Sequence, residues 1–300
     1  MKTLSIEDLT RELWAIRETA LHRMIAQLRA AGGAVKIDVA DIEAAEAAAI
    51  AARPTSGGVA QLNLHGPISH RPSLWSFFFG GTSTEGFTKI LREAVADPAV
   101  ARIVIDVDSP GGTVDGVPEL AEEVRVAREK KPITAVANAE AASAAYWIAS
   151  QASELVVAPS GEVGSIGVWA LHLDVSRMFD SAGITPTFIS AGKYKVEGNP
   201  FEPLGDEAKA YIQSRIDDYY GMFVRGVAKG RGVSVDKVRS DFGQGRMVGA
   251  ADAVTAGLAD RVGTLDDAIA KTRRAAAEDN GIDMNTRERR HRLLQLAAVR

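Results

Sequence analysis

The amino-acid sequence predicts an α/β fold built on a mainly parallel β-sheet. From Val59 onwards, short apolar runs alternate with longer amphipathic segments. This alternation is typical of βαβ units, in which a helix carries the chain back between neighbouring parallel strands. Glycine-containing turns follow two of the apolar runs, so the chain is expected to pass there directly from a strand into a helix.

Residues 1–52 are predicted to form a helical arm, because apolar residues recur at helical spacing and the second half is rich in alanine. The Pro-, Ser- and Gly-containing segment Arg53–Gly58 ends the arm. After about Glu278 the sequence becomes basic and rich in arginine. We therefore expect an arm and linker at 1–58, the main domain at 59–277 and a basic helical tail at 278–300.

The apolar and amphipathic patterns give the elements of the main domain. Strands are predicted at 59–68, 101–107, 132–139, 154–159 and 185–190. Helices are predicted at 84–97, 117–131, just after Ser143, 171–183 and 206–232. The segment 245–263 is predicted to contain a strand, a helix and a closing strand.

A loop between Ser69 and Thr84 carries four aromatic residues that would be unfavourable to expose to water. They are Trp75, Phe77, Phe78 and Phe79. The sequence leaves two interpretations open: they pack into the core, or they cover a substrate groove or a subunit contact.

Composition excludes several classes of function. The chain has no cysteine, which excludes disulfides, cysteine-ligated metal sites and a cysteine nucleophile. The formal net charge of -4 gives no indication of nucleic-acid binding. The first residues are charged and amphipathic rather than a secretory signal, and no segment approaches the ~18 apolar residues of a membrane span. We therefore expect a protein of the host or bacterial cytoplasm that is not secreted.

The segment DVDSPGGTVDG, from Asp106 to Gly116, joins an apolar strand to a helix through two glycines. Glycine allows a positive φ and leaves backbone N–H groups accessible, which suits a site for negative charge. The same sequence also fits an ordinary tight turn. The segment alone does not distinguish the two interpretations.

Ser143 lies where the strand at 132–139 passes into a short helix. Such a serine can be held on a sharp turn that exposes its hydroxyl, with the next N–H available to stabilise an oxyanion. The residues that flank it are small, which would give a substrate backbone room to approach: Ala141, Ala142, Ala144 and Ala145. Close packing of a helix is the other explanation for these alanines.

A serine nucleophile needs a base, and the sequence offers two kinds. His172, with Asp174 or Asp180 nearby, would suit a Ser-His-Asp arrangement, although its place at the start of a predicted helix favours a structural histidine. Lys193 and Lys195 lie in a loop among glycines and prolines. A lysine acts as a base when burial lowers its pKa towards neutrality.

Four ordered motifs resemble those of the signal peptide peptidase A family of serine peptidases, which have the crotonase-like (ClpP-like) fold. The resemblance covers about Val59 to Lys271 and implies an α/β fold of stacked βαβ units, with the arm and tail appended. The motifs are DSPGG at Asp108–Gly112, AASAAYWIAS at Ala141–Ser150, GSIGV at Gly164–Val168 and AGKYK at Ala191–Lys195.

The resemblance implies a Ser-Lys dyad, in which Ser143 is the nucleophile and Lys195 the general base. Lys195 is the last residue of the family's Gly-x-x-Lys segment, whereas Lys193 falls on a variable position. His172 would then take no part in the reaction. Neither a cofactor nor a metal is expected.

The remaining site residues are also implied by the resemblance. Ser165 would hydrogen-bond the lysine amine and orient it. Backbone N–H groups of Gly111 or Gly112 and of Ala144 would form the oxyanion hole. Because the base can come from a neighbouring subunit in this family, the resemblance implies a homo-oligomer with the site near a subunit interface.

Within the family, the segment KVEGNPFEPL after the lysine resembles the lambda-type capsid assembly (prohead) proteases of tailed phages. That branch implies scaffold, portal and capsid proteins as substrates, cleavage inside the prohead, and a tail at 278–300 in which a scaffold region could begin at Met284. Three alternatives stay open. They are a cytoplasmic signal-peptide-peptidase-like protease that degrades membrane-derived peptides, a crotonase-like acyl-CoA-binding protein, and an assembly protein with a vestigial protease core.

Overall fold

The structure is a computed structural model that describes residues 2–5, 12–30, 34–37, 44, 53–55, 57–72 and 80–279. Its strands, in chain order, are β1 Lys2–Ser5, β2 Trp14–Ile16, β3 Ala34–Ile37, β4 Arg53–Thr55, β5 Val59–His65, β6 Ile68–Ser69, β7 Thr82–Ser83, β8 Arg102–Ser109, β9 Gly111–Thr113, β10 Ile133–Ala142, β11 Glu154–Val157, β12 Glu162–Gly164, β13 Met247–Gly249 and β14 Arg261–Val262. Its helices are α1 Glu18–Ala30, α2 Thr84–Ala96, α3 Val117–Arg128, α4 Ala144–Ala149, α5 Ser176–Ser181, α6 Asp206–Arg231, α7 Val235–Asp241, α8 Ala250–Ala256 and α9 at 265–279.

The larger sheet has the order β13-β12-β10-β8-β5-β4, and β11 and β14 extend it beside the first half of β10. Strands β5, β8, β10, β11, β12 and β14 run parallel, while β4 and β13 are antiparallel to their neighbours. The register of β10 against β8 shifts between Ala137 and Ala141, so β10 pairs first with β11 and then with β12. The carboxyl ends of β8, β10 and β12 therefore meet at one edge.

A smaller sheet, with the order β2-β9-β6-β7, lies beside that edge. Strand β9 continues from β8 after Pro110, so the two sheets share one stretch of chain. β9 pairs antiparallel with β2 on one side and parallel with β6 on the other. The segment that joins β8 to the helix α3 is thus held inside the smaller sheet.

Helices cover the larger sheet and bury its apolar strands. α3 packs against α2, α4 and α6, and the side chains of Val104, Ile105 and Val107 in β8 are fully buried. Trp147 of α4 stacks on Phe223 of α6, with ring centroids 4.7 Å apart. This packing fixes α4, the helix that begins directly after Ser143.

The structure confirms the predicted α/β fold with parallel βαβ units. The predicted helices at 84–97, 117–131 and 206–232, and the strands at 101–107 and 132–139, agree with the observed elements within a few residues. In the part of the chain that is described, no helix is long and apolar enough to cross a membrane.

Three local predictions differ from the structure. The helix prediction for 1–52 holds for α1, whereas β1, β2 and β3 are strands; β2 is a strand because it pairs with the free edge of β9. The helix predicted at 171–183 is reduced to α5. The strand predicted at 185–190 is wrong: this segment is mostly exposed and pairs with no strand in the described part of the chain.

Two expectations concern residues outside the described ranges. The aromatic residues Trp75, Phe77, Phe78 and Phe79 lie at 73–79, and almost all of the basic tail lies at 280–300.

Candidate active site

Three of the four sequence motifs meet at the carboxyl ends of β8, β10 and β12. The register pairs Ala141 with Ser109 and Ala142 with Gly164. Ser143 and Ser165 are the next residues along their strands, and Gly111 follows Ser109 by two. Parallel pairing therefore brings together segments that are far apart in the sequence.

Ser143 has an unusual backbone, with φ of 54° and ψ of −118°. Its N–H donates to the Gly164 carbonyl at 2.7 Å, and its carbonyl accepts from the Trp147 N–H at 3.0 Å. A non-glycine residue with positive φ is strained and persists only where its surroundings hold it. This is the strand-to-helix turn that a serine nucleophile requires.

The Ser143 hydroxyl is not committed to capping α4, which starts at the next residue. Its one hydrogen bond among the described residues is a long contact of 3.5 Å to the Gly167 carbonyl. The residue is only 1% exposed. A hydroxyl held so weakly can exchange its partner, but a substrate cannot reach it in this arrangement.

The alanines that flank Ser143 belong to the main hydrophobic core. Each has 0% exposure: Ala141, Ala142, Ala144 and Ala145. Of the two explanations that the sequence offered, close packing is therefore the one that the structure supports. Their small size lets α4 approach the end of the sheet.

Gly111 lies beside Ser143 and has φ of 94°. A Cβ at this position would collide with the Ala15 carbonyl oxygen and would lie 3.0 Å from Ser143 Cβ. The Gly111 N–H donates to Ser109 Oγ at 3.2 Å, and that hydroxyl donates to the Gly66 carbonyl. Only glycine fits at this position. Its N–H donates to a neutral hydroxyl, which a stronger acceptor such as an oxyanion could replace.

Ser165, like Ser143, has a positive φ, of 53°. Its N–H donates to the Arg246 carbonyl at 2.8 Å, which ties the end of β12 to the turn before β13. Within the described ranges, its hydroxyl makes no hydrogen bond. The hydroxyl therefore remains available for a partner such as an amine.

The structure does not bring Lys195 to Ser143 within one chain. Lys195 is exposed, and its contact is a backbone hydrogen bond from its N–H to the Gly192 carbonyl at 3.1 Å. Its neighbour Lys193 donates to the Tyr194 hydroxyl and to Glu207, both at 2.9 Å. These hydrogen bonds, together with the Glu207 charge, raise the pKa of Lys193 above its ordinary value, which keeps it a cation and makes it a poor base.

His172 is not part of a catalytic triad in this structure. Its Nε2 lies 3.1 Å from the Asn199 carbonyl oxygen, and it makes no contact with Ser143. Asp174 accepts from the Ser176 N–H at 2.9 Å, in the turn just before α5. In the described residues no group of three His, Asp or Glu side chains could hold a metal ion.

One part of the site was not recognised from the sequence. β2 lies next to Gly111. Arg17, the residue after β2, forms an ion pair with Glu140, in which Nη2 lies 3.0 Å from Oε2. Burial raises the pKa of Glu140 above its ordinary value, although the Arg17 charge opposes the shift. The apolar run Trp-Ala-Ile immediately before a helix could have indicated this strand. It lies, however, within a segment whose pattern predicts helix throughout.

The sequence is similar to one protein family and to several known proteins. A family model described as peptidase family S49 matches residues 125–278, which include Ser143, Ser165 and Lys195. The chain is 36% identical over 212 residues to the head-tail preconnector protein GP5 of Enterobacteria phage P21, covering 71% of this chain and 42% of that protein. It is 34% identical over 218 residues to the capsid assembly protease C of Escherichia phage lambda, covering 73% and 49%.

Similarity extends to cellular proteins. The chain is 32% identical over 174 residues to the chloroplastic serine protease SPPA of Arabidopsis thaliana, covering 58% of this chain and 26% of that protein. A solved structure of a ClpP1 mutant from Listeria monocytogenes matches with a TM-score of 0.44 and 14% identity, covering 69% of this chain and 92% of that one. The chain spans about half the length of the phage relatives that it matches.

Proposed function

Because the chain belongs to peptidase family S49, we propose that it is a serine endopeptidase with Ser143 as nucleophile and Lys195 as general base. The observation that carries the proposal is the strained backbone of Ser143 at the end of β10, beside Gly111 and Ser165. A serine on such a turn, next to backbone donors and a second free hydroxyl, has the parts that acyl transfer requires.

The first step is attack of Ser143 Oγ on the carbonyl carbon of the scissile peptide bond. The Ser143 proton passes to the neutral lysine amine, and the carbonyl oxygen becomes an oxyanion. The N–H of Ala144, at the first position of α4, has no partner within the helix and can donate to that oxygen. The N–H of Gly111 supplies the second hydrogen bond when it leaves Ser109 Oγ.

The second step releases the amine product, which takes its proton from the lysine. Water then attacks the acyl-enzyme while the lysine accepts a proton again, and the acid product and free Ser143 result. Ser165 holds the lysine amine at the correct distance throughout. Of the two glycines proposed for the oxyanion hole, Gly111 is favoured because it lies beside Ser143 and its N–H donates to a hydroxyl, Ser109 Oγ, that an oxyanion can replace.

We place Lys195 in the site of a neighbouring copy of the chain. Lys195 is exposed in its own chain, and the segment around it leaves large apolar side chains in water; Ile189, for example, is 98% exposed. Exposed apolar residues of this kind mark interaction surfaces: Met178, Ile184, Phe188, Ile189 and Tyr194. Burial at such an interface would favour the neutral amine that a base requires.

The substrates that we propose are scaffold, portal and capsid proteins, cleaved during assembly of a phage head in the bacterial cytoplasm. The support is the similarity to the capsid assembly protease C of phage lambda over 73% of this chain. The cellular alternative, a protease of membrane-derived peptides, has support from the similarity to a plant serine protease SPPA. Co-expression with the candidate head proteins distinguishes the two.

The test is proteolysis of those head proteins by the wild-type chain and by Ser143→Ala, with the products identified by mass spectrometry. We expect discrete fragments with the wild type and none with the variant. Circular dichroism should show that the variant folds. Fragments that persist in Ser143→Ala would exclude Ser143 as the nucleophile.

A further inference from the structure

Strand β2 is held from both sides, although it belongs to the N-terminal arm. On one side it pairs antiparallel with β9. Two hydrogen bonds mark the ends of this pairing: the Val114 N–H donates to the Leu13 carbonyl, and the Arg17 N–H donates to the Pro110 carbonyl. On the other side Trp14 and Trp169 exchange two backbone hydrogen bonds, of 2.8 and 2.9 Å. An extended peptide that adds to a sheet edge is bound in the same way.

The same strand lies against the nucleophile. Its Ala15 carbonyl oxygen and Ser143 Cβ both face Gly111, where an added Cβ would meet each of them. Ala15 and Ser143 are each 1% exposed. Because a scissile carbonyl must come within contact distance of the serine oxygen, a substrate cannot react while β2 is in place.

The contacts that hold β2 fall into two groups: Ala15 packs into the main core, whereas its two neighbours pack into a separate cluster. Trp14, Ile16, Ala20, Leu21 and Met24 form a small apolar cluster of their own, against which Trp169 packs. Trp169 Nε1 donates to the Ile16 carbonyl at 3.1 Å. The Arg17 guanidinium pairs with Glu140 at 3.0 Å and with Glu162 at 3.8 Å. A segment held by this small cluster can open without unfolding the sheet.

We propose that residues Leu13–Arg17 occupy the peptide groove of the same chain, and that substrate must displace them before cleavage. This inference rests on the proposed peptidase function. The segment also indicates which peptides fit. They are extended, with a small residue opposite Gly112 where Ala15 lies, flanked by large apolar residues where Trp14 and Ile16 lie.

A reversible lock tests the proposal. Trp14 faces Thr113 across the two strands, between the hydrogen bonds that mark the ends of β2. Directly opposed residues on antiparallel strands are close enough for a disulfide. The chain has no cysteine of its own, so Trp14→Cys with Thr113→Cys can form one defined bond. Thr113→Cys alone, treated with the same oxidant, is the matched control.

We expect the oxidised double variant to cleave a peptide substrate at least about ten-fold more slowly than its reduced form. The comparison is made within one variant, so any effect of the two substitutions themselves is common to the oxidised and the reduced form. Equal activity of the oxidised and reduced forms would overturn the proposal and make β2 a permanent wall of the site. An inactive wild type would instead contradict the proposed function.

A measurement that needs no catalysis uses the Ser143→Ala chain and a synthetic peptide with the sequence of residues 12–17. We expect the peptide to increase hydrogen exchange in the segment 12–17 of the protein, because the added peptide takes its place. A peptide with tryptophan at the position of Ala15 should have no effect. Unchanged exchange with both peptides, at concentrations where the first one binds, would overturn the proposal.

Arg17→Ala provides a third test of whether residues Leu13–Arg17 block the groove. It removes the ion pairs with Glu140 and Glu162, so we expect faster cleavage and faster exchange in the segment 12–17. Arg92→Ala is the matched control, since it removes the ion pair between Arg92 on α2 and Glu123 on α3, in which Nε lies 2.8 Å from Oε1. A cleavage rate for Arg17→Ala no higher than that of Arg92→Ala would contradict the proposal that residues Leu13–Arg17 block the groove.

Discussion

Ser143 and Ser165 lie at the ends of neighbouring parallel strands, and both have a positive φ, of 54° and 53°. The residues that precede them, Ala142 and Gly164, are paired in the sheet, and the Ser143 N–H donates to the Gly164 carbonyl. Two strained serines at adjacent strand ends are unfavourable for stability alone. This edge of the sheet is where we propose the active site.

Replacement of Ser143 by glycine and by alanine separates backbone strain from chemistry. Both variants should lose cleavage, because both lack the hydroxyl. Glycine accepts the backbone of Ser143 without strain, so Ser143→Gly should be more stable than Ser143→Ala by about 1 kcal/mol. Urea unfolding of the two variants measures the difference. A glycine variant less stable than the alanine variant would show that the backbone at Ser143 is not strained.

Mixed oligomers test whether Lys195 acts across a subunit interface. Ser143→Ala and Lys195→Ala should each be inactive alone. Co-assembled in equal amounts, they should recover about a quarter of wild-type activity, because half of the sites carry the serine and half of those face an intact lysine. Lys193→Ala is the control and should retain activity. No recovery in mixed oligomers would place the base in the same chain as the nucleophile.

Gly111→Ala tests how tightly the oxyanion turn is packed. The added Cβ would meet the Ala15 carbonyl oxygen, and alanine does not favour φ of 94°. We expect loss of activity and a decrease of roughly 2–4 kcal/mol in the free energy of unfolding. Gly205→Ala is the matched control, because a Cβ there meets nothing within 4 Å and φ is −70°. Equal stability of the two variants would contradict the packing described for Gly111.

Asp260 predicts a pH dependence of stability outside the active site. Its carboxylate accepts from the Leu155 N–H at 2.6 Å and forms two hydrogen bonds with Arg231. Burial alone would raise the pKa of Asp260, but the hydrogen bonds from Arg231 and Leu155 outweigh it and lower the pKa below its ordinary value. The stabilisation is therefore present above the unfolded pKa, about 3.9, and is lost as the pH falls through the lowered value.

Asp260→Asn should consequently lower the free energy of unfolding at pH 7 by about 1–2 kcal/mol, a figure reduced because the carboxylate is 40% exposed. The difference from the wild type should shrink below about pH 4. Denaturant unfolding at several pH values provides the measurement, with the exposed Asp266→Asn as control. A difference that stays constant with pH would assign the effect to packing instead of charge.

Much of the fold follows from local pattern, because buried parallel strands are apolar and the helices between them are amphipathic. The strand at 101–107 and the helix at 206–232 needed no knowledge of their neighbours. The segment 185–190 has strand-like residues but pairs with no strand among the described residues, and its large apolar side chains are exposed. A sequence shows what could pair, but whether a partner strand exists depends on the assembled protein.

The candidate site was predictable in part for the same reason. Parallel register brings Ser143, Ser165 and Gly111 together once the strand order is known. Lys195 could be proposed only from a family motif, since its own chain leaves it exposed. The position of Trp14–Ile16 depends on the free edge of β9, which no pattern within residues 1–52 reveals.

The most direct test of the central claim is identification of the residue that becomes acylated. The active protein should be treated with a peptide ester, quenched in acid during turnover, digested and analysed by tandem mass spectrometry. We predict one acyl adduct, on Ser143, that is absent from Ser143→Ala. An adduct on Ser165 or on another residue, or turnover by Ser143→Ala, would contradict the account.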